Sequence, residues 1–177
     1  MTRAPLRILL RAAVLALVLL GAYALLGPYL KNALYALRLA AMPAPGALPV
    51  PVRGVAPRAL RDTWHGARSE GRKHEGIDIF ARRGTAVTSS TEGIVLRVSA
   101  NRLGGQGVWV LGPGGQRHYY AHLDRYAAIE NGQRVRAGTV LGYVGNTGNA
   151  AGTPPHLHYG IYAPGGAINP YPMLRAP

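Results

Sequence analysis

From Ala12 to Leu30 the chain runs 19 residues without a charge, most of them apolar, and no other segment narrows its structural options as much. A run of that length is close to the ~20 residues a helix needs to cross the hydrocarbon core of a bilayer. Within lipid, only a helix satisfies every backbone N–H and C=O inside one such segment. Arg3, Arg7 and Arg11 precede the run, which favours a cytoplasmic N-terminus and places the rest of the chain outside. Residues 1–11 therefore read as a basic cytoplasmic tail and residues 12–30 as a transmembrane anchor. A cleaved signal peptide, giving a secreted chain, is the competing reading, because Ala22-Tyr23-Ala24 is a small-x-small site after a short apolar run. Apolar sequence continues past Ala24, which favours the anchor. Gly21, Gly27 and Pro28 weaken its far end without forbidding a span.

Residues 31–59 read as a short helix followed by a linker. Lys31 to Ala41 is rich in helix formers, and Pro43, Pro45, Pro49, Pro51 and Pro57 then fall within 15 residues. Proline removes backbone donors and biases its predecessor away from helix, so this stretch is expected to be an extended spacer. Charge divides at about the same place. Residues 1–60 hold seven of the 20 Lys and Arg and no acid, whereas residues 61–177 hold 13 basic and seven acidic residues, a net of +6. Acidic lipid suits the first part and an acidic polymer the second. Nucleic acid is disfavoured: no Lys/Arg block and no zinc-finger or RNA-binding signature occurs, and there is a single Phe. The absence of cysteine excludes disulfides, thiolate metal sites and cysteine nucleophiles.

From about Leu60 onward short β-branched runs alternate with glycine turns. Gly93–Val98, Gly107–Leu111, His118–His122, Thr139–Val144 and His156–Tyr162 are strand-like, with turn signals at 112–115 and at Asn131-Gly132. This texture predicts an all-β, mainly antiparallel domain over residues 60–177, with an open groove and a separate N-terminal helix.

Four of the six histidines fall in tight pairings with chemistry-bearing neighbours. His74-Glu-Gly-Ile-Asp78 reads as extended rather than helical, because Gly76 and two flanking isoleucines oppose a helix; an even separation then puts His74 and Asp78 on one face. In His156-Leu-His158 the two imidazoles also project to one side, about 6.5 Å apart along a strand. A catalytic zinc site takes three protein ligands and leaves a fourth position open. Two such clusters supply three ligands, with histidines left over to move protons.

Taken in order, His74-x-Gly76-x-Asp78, then Tyr120-Ala121-His122-Leu123, then Pro155-His156-Leu157-His158 resemble the lysostaphin-type (LytM-like) zinc endopeptidases over roughly residues 62–172. The glycine framework at Gly84-Thr85-Ala86-Val87, Gly93-Ile94-Val95, Gly132, Gly138 and Gly145-x-Thr147-Gly148, with Asn169-Pro170, agrees as well. The resemblance implies one Zn2+ per chain on His74, Asp78 and His158, with His122 and His156 as metal-free catalytic histidines. Arg68 matches a family position near the site, and Arg68 and Tyr120 are the candidate substrate-binding residues, Tyr120 as core or groove wall rather than as a reactive group. His118 and His65 are expected to be ordinary surface residues. The sequence departs from the family pattern around Gly105–Val108, and at Tyr159-Gly160, where the family often carries a larger polar residue.

The resemblance and the anchor together predict a zinc metalloendopeptidase that hydrolyses peptide cross-links of bacterial peptidoglycan, its catalytic domain held on the periplasmic or wall side of a membrane. A non-catalytic wall-binding regulator or activator is the alternative, and a protein regulator of this chain remains an unknown partner. No Gly-x-Ser-x-Gly and no His-Glu-x-x-His occurs, which disfavours serine-hydrolase and helical zincin chemistry.

Overall fold

The computed structural model describes residues 4–68 and 71–176. Two units are present, Met1–Tyr35 and Ala36–Pro177. The first consists of most of helix α1 (Ala4–Ala41), which runs through Pro28 without ending. From Ile8 onward α1 is long and apolar enough to cross a membrane, and its leucines, isoleucine and valines in the first unit are exposed. An interior proline removes one helical hydrogen bond, a loss that apolar spanning helices tolerate. The helix continues through the expected short helix at 31–41 as one element. Arg3 lies outside the described residues.

Among the described residues of the second unit nine strands pair antiparallel throughout: β1 (Ile77–Phe80), β2 (Ala86–Thr88), β3 (Gly93–Asn101), β4 (Gly105–Leu111), β5 (Arg117–Tyr126), β6 (Arg134–Val135), β7 (Val140–Val144), β8 (His156–Ala163) and β9 (Gly166–Ile168). The main path is β1-β8-β5-β4-β3-β6, with β7 joining the end of β5 and carrying β2, and β9 flanking β8. A short helix α2 (Tyr171–Arg175) follows. The expected all-β antiparallel domain is what forms, and the reason is visible in the alternation. On β8, Leu157, Tyr159 and Ile161 are fully buried while His156, His158 and Tyr162 point the other way; on β1, Ile77 and Ile79 are buried while Asp78 and Phe80 share the histidine face. Every strand except β9 places a buried side chain in one apolar cluster, which includes Val95, Val108, Tyr120, Leu123, Val135 and Leu141.

The proline-rich stretch differs from the expected spacer. Leu48, Val52 and Leu60 belong to the same cluster, with Val52 only 1% exposed. Leu48 N–H donates to the Met173 carbonyl at 2.9 Å, and Val52 bridges Val87. Proline supplies an extended chain, but the apolar residues between the prolines have a sheet face to cover, so the segment packs instead of tethering. Burying side chains such as these stabilises by about 1.5–3 kcal/mol each.

Candidate metal centre and its flanking histidines

The centre is built by strand register. Asp78 on β1 lies directly opposite His158 on β8, Phe80 opposite His156, and His158 in turn opposite Ala121 on β5. A slip of one residue would send Asp78 and both histidines to the core, and the buried isoleucines and Tyr159 oppose any such slip. Asp78 and His158 are thus neighbours through cross-strand pairing, 80 residues apart in sequence.

His74 arrives by another route. It precedes β1 in a loop rather than sharing a strand face with Asp78, which corrects the extended-segment reading. The loop is held by His74 N–H to the Gly66 carbonyl at 3.0 Å and His65 N–H to the His74 carbonyl at 2.9 Å. It crosses β8 so closely that a Cβ on Gly76 would lie 2.5 Å from the Tyr159 carbonyl and 2.7 Å from the His158 ring. A Cβ on Gly160 would lie 2.8 Å from the Glu75 carbonyl, so the glycine there belongs to the same crossing. Thr63 ties both donors down: its carbonyl accepts from His74 Nδ1 at 2.7 Å and its hydroxyl accepts from Asp78 N–H at 3.0 Å.

A carbonyl only accepts, so Nδ1 of His74 carries the proton and Nε2 presents a lone pair. That Nε2 is 2.8 Å from His158 Nδ1 and 3.1 Å from Asp78 Oδ1, and His158 Nδ1 is 3.3 Å from the same oxygen. Two imidazole nitrogens and a carboxylate oxygen crowd together in a part-buried site, an arrangement that a shared cation relieves. Ligands about 2.0–2.2 Å from one ion sit at comparable mutual distances, so the donor set fits a divalent metal with nitrogen–oxygen preference. Burial would raise the Asp78 carboxyl, but the His158 and His74 imidazoles against it outweigh that and hold it well below the usual carboxylate range. Burial also pushes the His158 imidazole down, so it stays neutral and able to bind metal. Arg68 donates to the outer oxygen Asp78 Oδ2, leaving Oδ1 for the centre.

His122 and His156 flank the trio, their ring centroids 5.1 Å apart, with His122 also 5.9 Å from His158. His122 Nδ1 donates to the Thr147 carbonyl at 2.8 Å, and His156 Nδ1 donates to the Pro154 carbonyl at 2.8 Å. Both acceptors belong to the β7–β8 loop, so one loop sets both tautomers and leaves both Nε2 atoms bare. His156 Nε2 stands 3.9 Å from Asp78 Oδ1. Burial, then the neighbouring His158 imidazole, lowers the His122 pKa to about 4, which keeps it a proton acceptor at neutral pH.

All five residues from the two histidine clusters and the Tyr120–Leu123 motif therefore converge, together with Arg68. Tyr120 does not. Its side chain is fully buried on the core face, where its hydroxyl accepts from Ser90 N–H at 2.9 Å, so it cannot touch a substrate. The neighbour on the centre's face is Tyr119, whose ring meets His158 edge-on at 6.1 Å. His118 is likewise buried rather than exposed, its Nδ1 bonded to the Tyr159 hydroxyl at 2.7 Å. His65 is a surface residue stacked on Trp64. Nothing in the sequence marks Thr63 or Pro154 as part of the site, and Thr147 is visible there only within the glycine framework; Thr147 and Pro154 hold the histidines through backbone carbonyls, which leave no side-chain signature. The turn between β3 and β4 and the loop between β7 and β8 are joined beside the centre, because Asn149 N–H donates to the Leu103 carbonyl and Gln106 N–H, at the start of β4, to Thr147 Oγ1.

The family model described as Peptidase family M23 matches residues 72–170. The chain is 42% identical over 142 residues to an L-Ala--D-Glu endopeptidase of Bacillus subtilis, covering 73% of this chain and 43% of that protein. It is 32% identical over 106 residues to the peptidoglycan DD-endopeptidase ShyC of Vibrio cholerae, covering 60% of this chain and 24% of that protein. Among solved structures, the catalytic domain of the antimicrobial peptidase lysostaphin from Staphylococcus simulans superposes with a TM-score of 0.59 at 27% identity, covering 68% of this chain and 96% of that one. The chain thus spans less than half the length of these two curated relatives, while it covers nearly the whole of the lysostaphin catalytic domain.

Proposed function

Because the chain belongs to peptidase family M23, we propose that it is a zinc-dependent endopeptidase hydrolysing the peptide cross-links of bacterial peptidoglycan. The observation that carries this is the convergence of His74, Asp78 and His158 on one point, with two histidines of assigned tautomer beside it. His74 Nε2, Asp78 Oδ1 and His158 Nδ1 would hold the ion. When bound, zinc supplies Lewis acidity, polarising a carbonyl and lowering the pKa of water towards ~7.

The remaining steps belong to the chain's own groups. The bare Nε2 of His122 or His156 takes a proton from the attacking water, and the resulting imidazolium returns it to the departing amine. The Thr147 and Pro154 carbonyls hold these rings against rotation. Arg68, about a third exposed beside the centre, steadies Asp78 and offers its outer N–H groups to a substrate carbonyl.

Helix α1 serves as the membrane anchor and the second unit lies on the outer side, where peptidoglycan is. A mature chain beginning near its encoded start, and retained in membranes after a carbonate wash, supports anchoring; a soluble chain beginning near Leu25 supports signal cleavage.

The test of activity is digestion of purified wall by the full chain in detergent, with products read by mass spectrometry. Shorter peptides without new reducing sugar ends are expected. Reducing ends without peptide cuts would make it a glycosidase, and an intact wall with metal bound would favour a non-catalytic regulator. Product masses also identify the bond, which the names of the relatives leave open among L-Ala–D-Glu, DD and glycyl-glycine linkages.

A further inference from the structure

Beside the metal centre lies a cavity of about 660 Å³ between residues 54–61 and strand β1, lined by Gly54 to Ala56, Arg58 to Arg61, and Asp78 to Phe80. We propose that this cavity is a substrate subsite that binds a carboxylate of the wall peptide, with Arg58 and Arg61 as its recognition groups. The proposal rests on the hydrolase reading above and assigns part of its specificity.

Three features support it. First, the metal ligand Asp78 is part of the lining, so a ligand seated there adjoins the reacting centre. Phe80 continues the wall: its ring is 5.2 Å from that of His156, and the side chain is 54% exposed. An exposed phenylalanine beside a catalytic histidine presents apolar surface that a ligand's small side chains would cover.

Second, the lining carries two arginines against one acid. Neither Arg58 nor Arg61 has an acidic partner among the described residues, and the other lining side chains of the segment are apolar: Val55, Ala56, Ala59 and Leu60. Two guanidiniums beside these apolar side chains outnumber the lining's one acid, Asp78, which already pairs with Arg68, and so favour a carboxylate flanked by small aliphatic groups; a guanidinium fits a carboxylate with two parallel N–H···O bonds.

Third, the segment is built in place before any ligand arrives. Leu60 is buried, its N–H donates to the Pro57 carbonyl at 3.2 Å, and Arg175 donates to the same carbonyl at 3.2 Å. A pre-ordered wall loses little entropy on binding.

The test uses a five-residue stem peptide, L-Ala-γ-D-Glu-L-Lys-D-Ala-D-Ala, with an amidated C-terminus. One form carries the free D-glutamyl α-carboxylate and the other its carboxamide. Both are titrated into the full chain carrying His122→Ala, to suppress turnover, and into the same chain with Arg58→Gln and Arg61→Gln added. Both arginines are exposed, and circular dichroism with metal content checks that the variants fold. The expected result is about tenfold tighter binding of the carboxylate form, the scale of one charge-assisted hydrogen bond, and loss of that preference without the arginines. Equal binding of the two peptides, binding of neither, or a preference that survives the glutamines overturns the proposal. If the arginine-dependent preference is seen but the wild-type chain cuts no wall peptide, the hydrolase reading fails and the subsite stands. If it cuts carboxylate and carboxamide substrates at equal rates, the reverse holds.

Discussion

Tyr120 and His122 sit two residues apart on β5, yet their side chains lie on opposite faces of the sheet. Strand alternation puts residues i and i+2 on one face, and His118 and Tyr120 obey it by burying in the core. His122 departs because its backbone is left-handed, with φ 62°, and the ladder on either side of it shifts register. A non-glycine residue held there bears a local cost of about 1–3 kcal/mol, accepted at functional sites because surrounding bonds over-determine it. Here those bonds are His122 N–H to the Gly104 carbonyl at 2.8 Å and Nδ1–H to the Thr147 carbonyl.

From this comes the first prediction. His122→Ala should retain stoichiometric metal and the fold, while turnover of wall peptide falls roughly 10²–10⁴-fold, the range for a lost proton-transfer group. Metal analysis and peptide release on the same sample give the answer. Near-normal turnover would mean that His122 carries no proton in the reaction.

Thr63 holds His74 through its carbonyl and Asp78 through its hydroxyl, so the two contacts can be separated. Thr63→Val keeps the carbonyl and the shape but leaves the Asp78 N–H without its acceptor. Zinc affinity, measured by competition with a chromophoric chelator, should weaken by about 10–100-fold, as for other residues that orient metal ligands. An unchanged affinity would show that β1 positions Asp78 unaided.

His118 predicts a pH dependence of stability. Burial lowers its pKa from the ordinary 6.5 to about 4, so the unfolded chain binds this proton at higher pH than the folded one. Stability is therefore unaffected by His118 above about pH 6.5 and falls as pH drops towards 4, by up to about 3 kcal/mol. Urea unfolding of metal-free protein at pH 7 and pH 4.5 should show a smaller difference for His118→Gln than for the wild type. Equal differences would place the acid sensitivity elsewhere.

The packed proline-rich segment predicts where the domain can be cut. A chain beginning at residue 36 should unfold cooperatively, because it keeps Leu48 and Val52 in the core. One beginning at residue 60 loses both and should be less stable by about 3 kcal/mol or more, at about 1.5–3 kcal/mol per buried side chain. Matching denaturation midpoints would return residues 43–59 to the status of a spacer.

Local chemistry and periodicity made much of this protein readable from its sequence. The apolar run before Lys31 specifies a helix because lipid-length apolar sequence has no other way to pair its backbone. The alternation in His156-Leu157-His158-Tyr159 specifies which side chains go inward, since period-two burial is set by the pleat alone. The three donors were legible as residue types at workable spacing. Tertiary structure decided what depends on contacts between distant segments. Asp78 meets His158 through a register 80 residues removed, and His74 comes in from a loop that Thr63 secures. A left-handed residue reverses His122, against the parity that grouped it with His118 and Tyr120. The prolines from Pro43 to Pro57 argue against a helix, but whether such a chain hangs free or packs depends on the sheet face it finds. Backbone carbonyls such as those of Thr147 and Pro154 belong to every residue alike, so only the fold determines which of them hold the histidines.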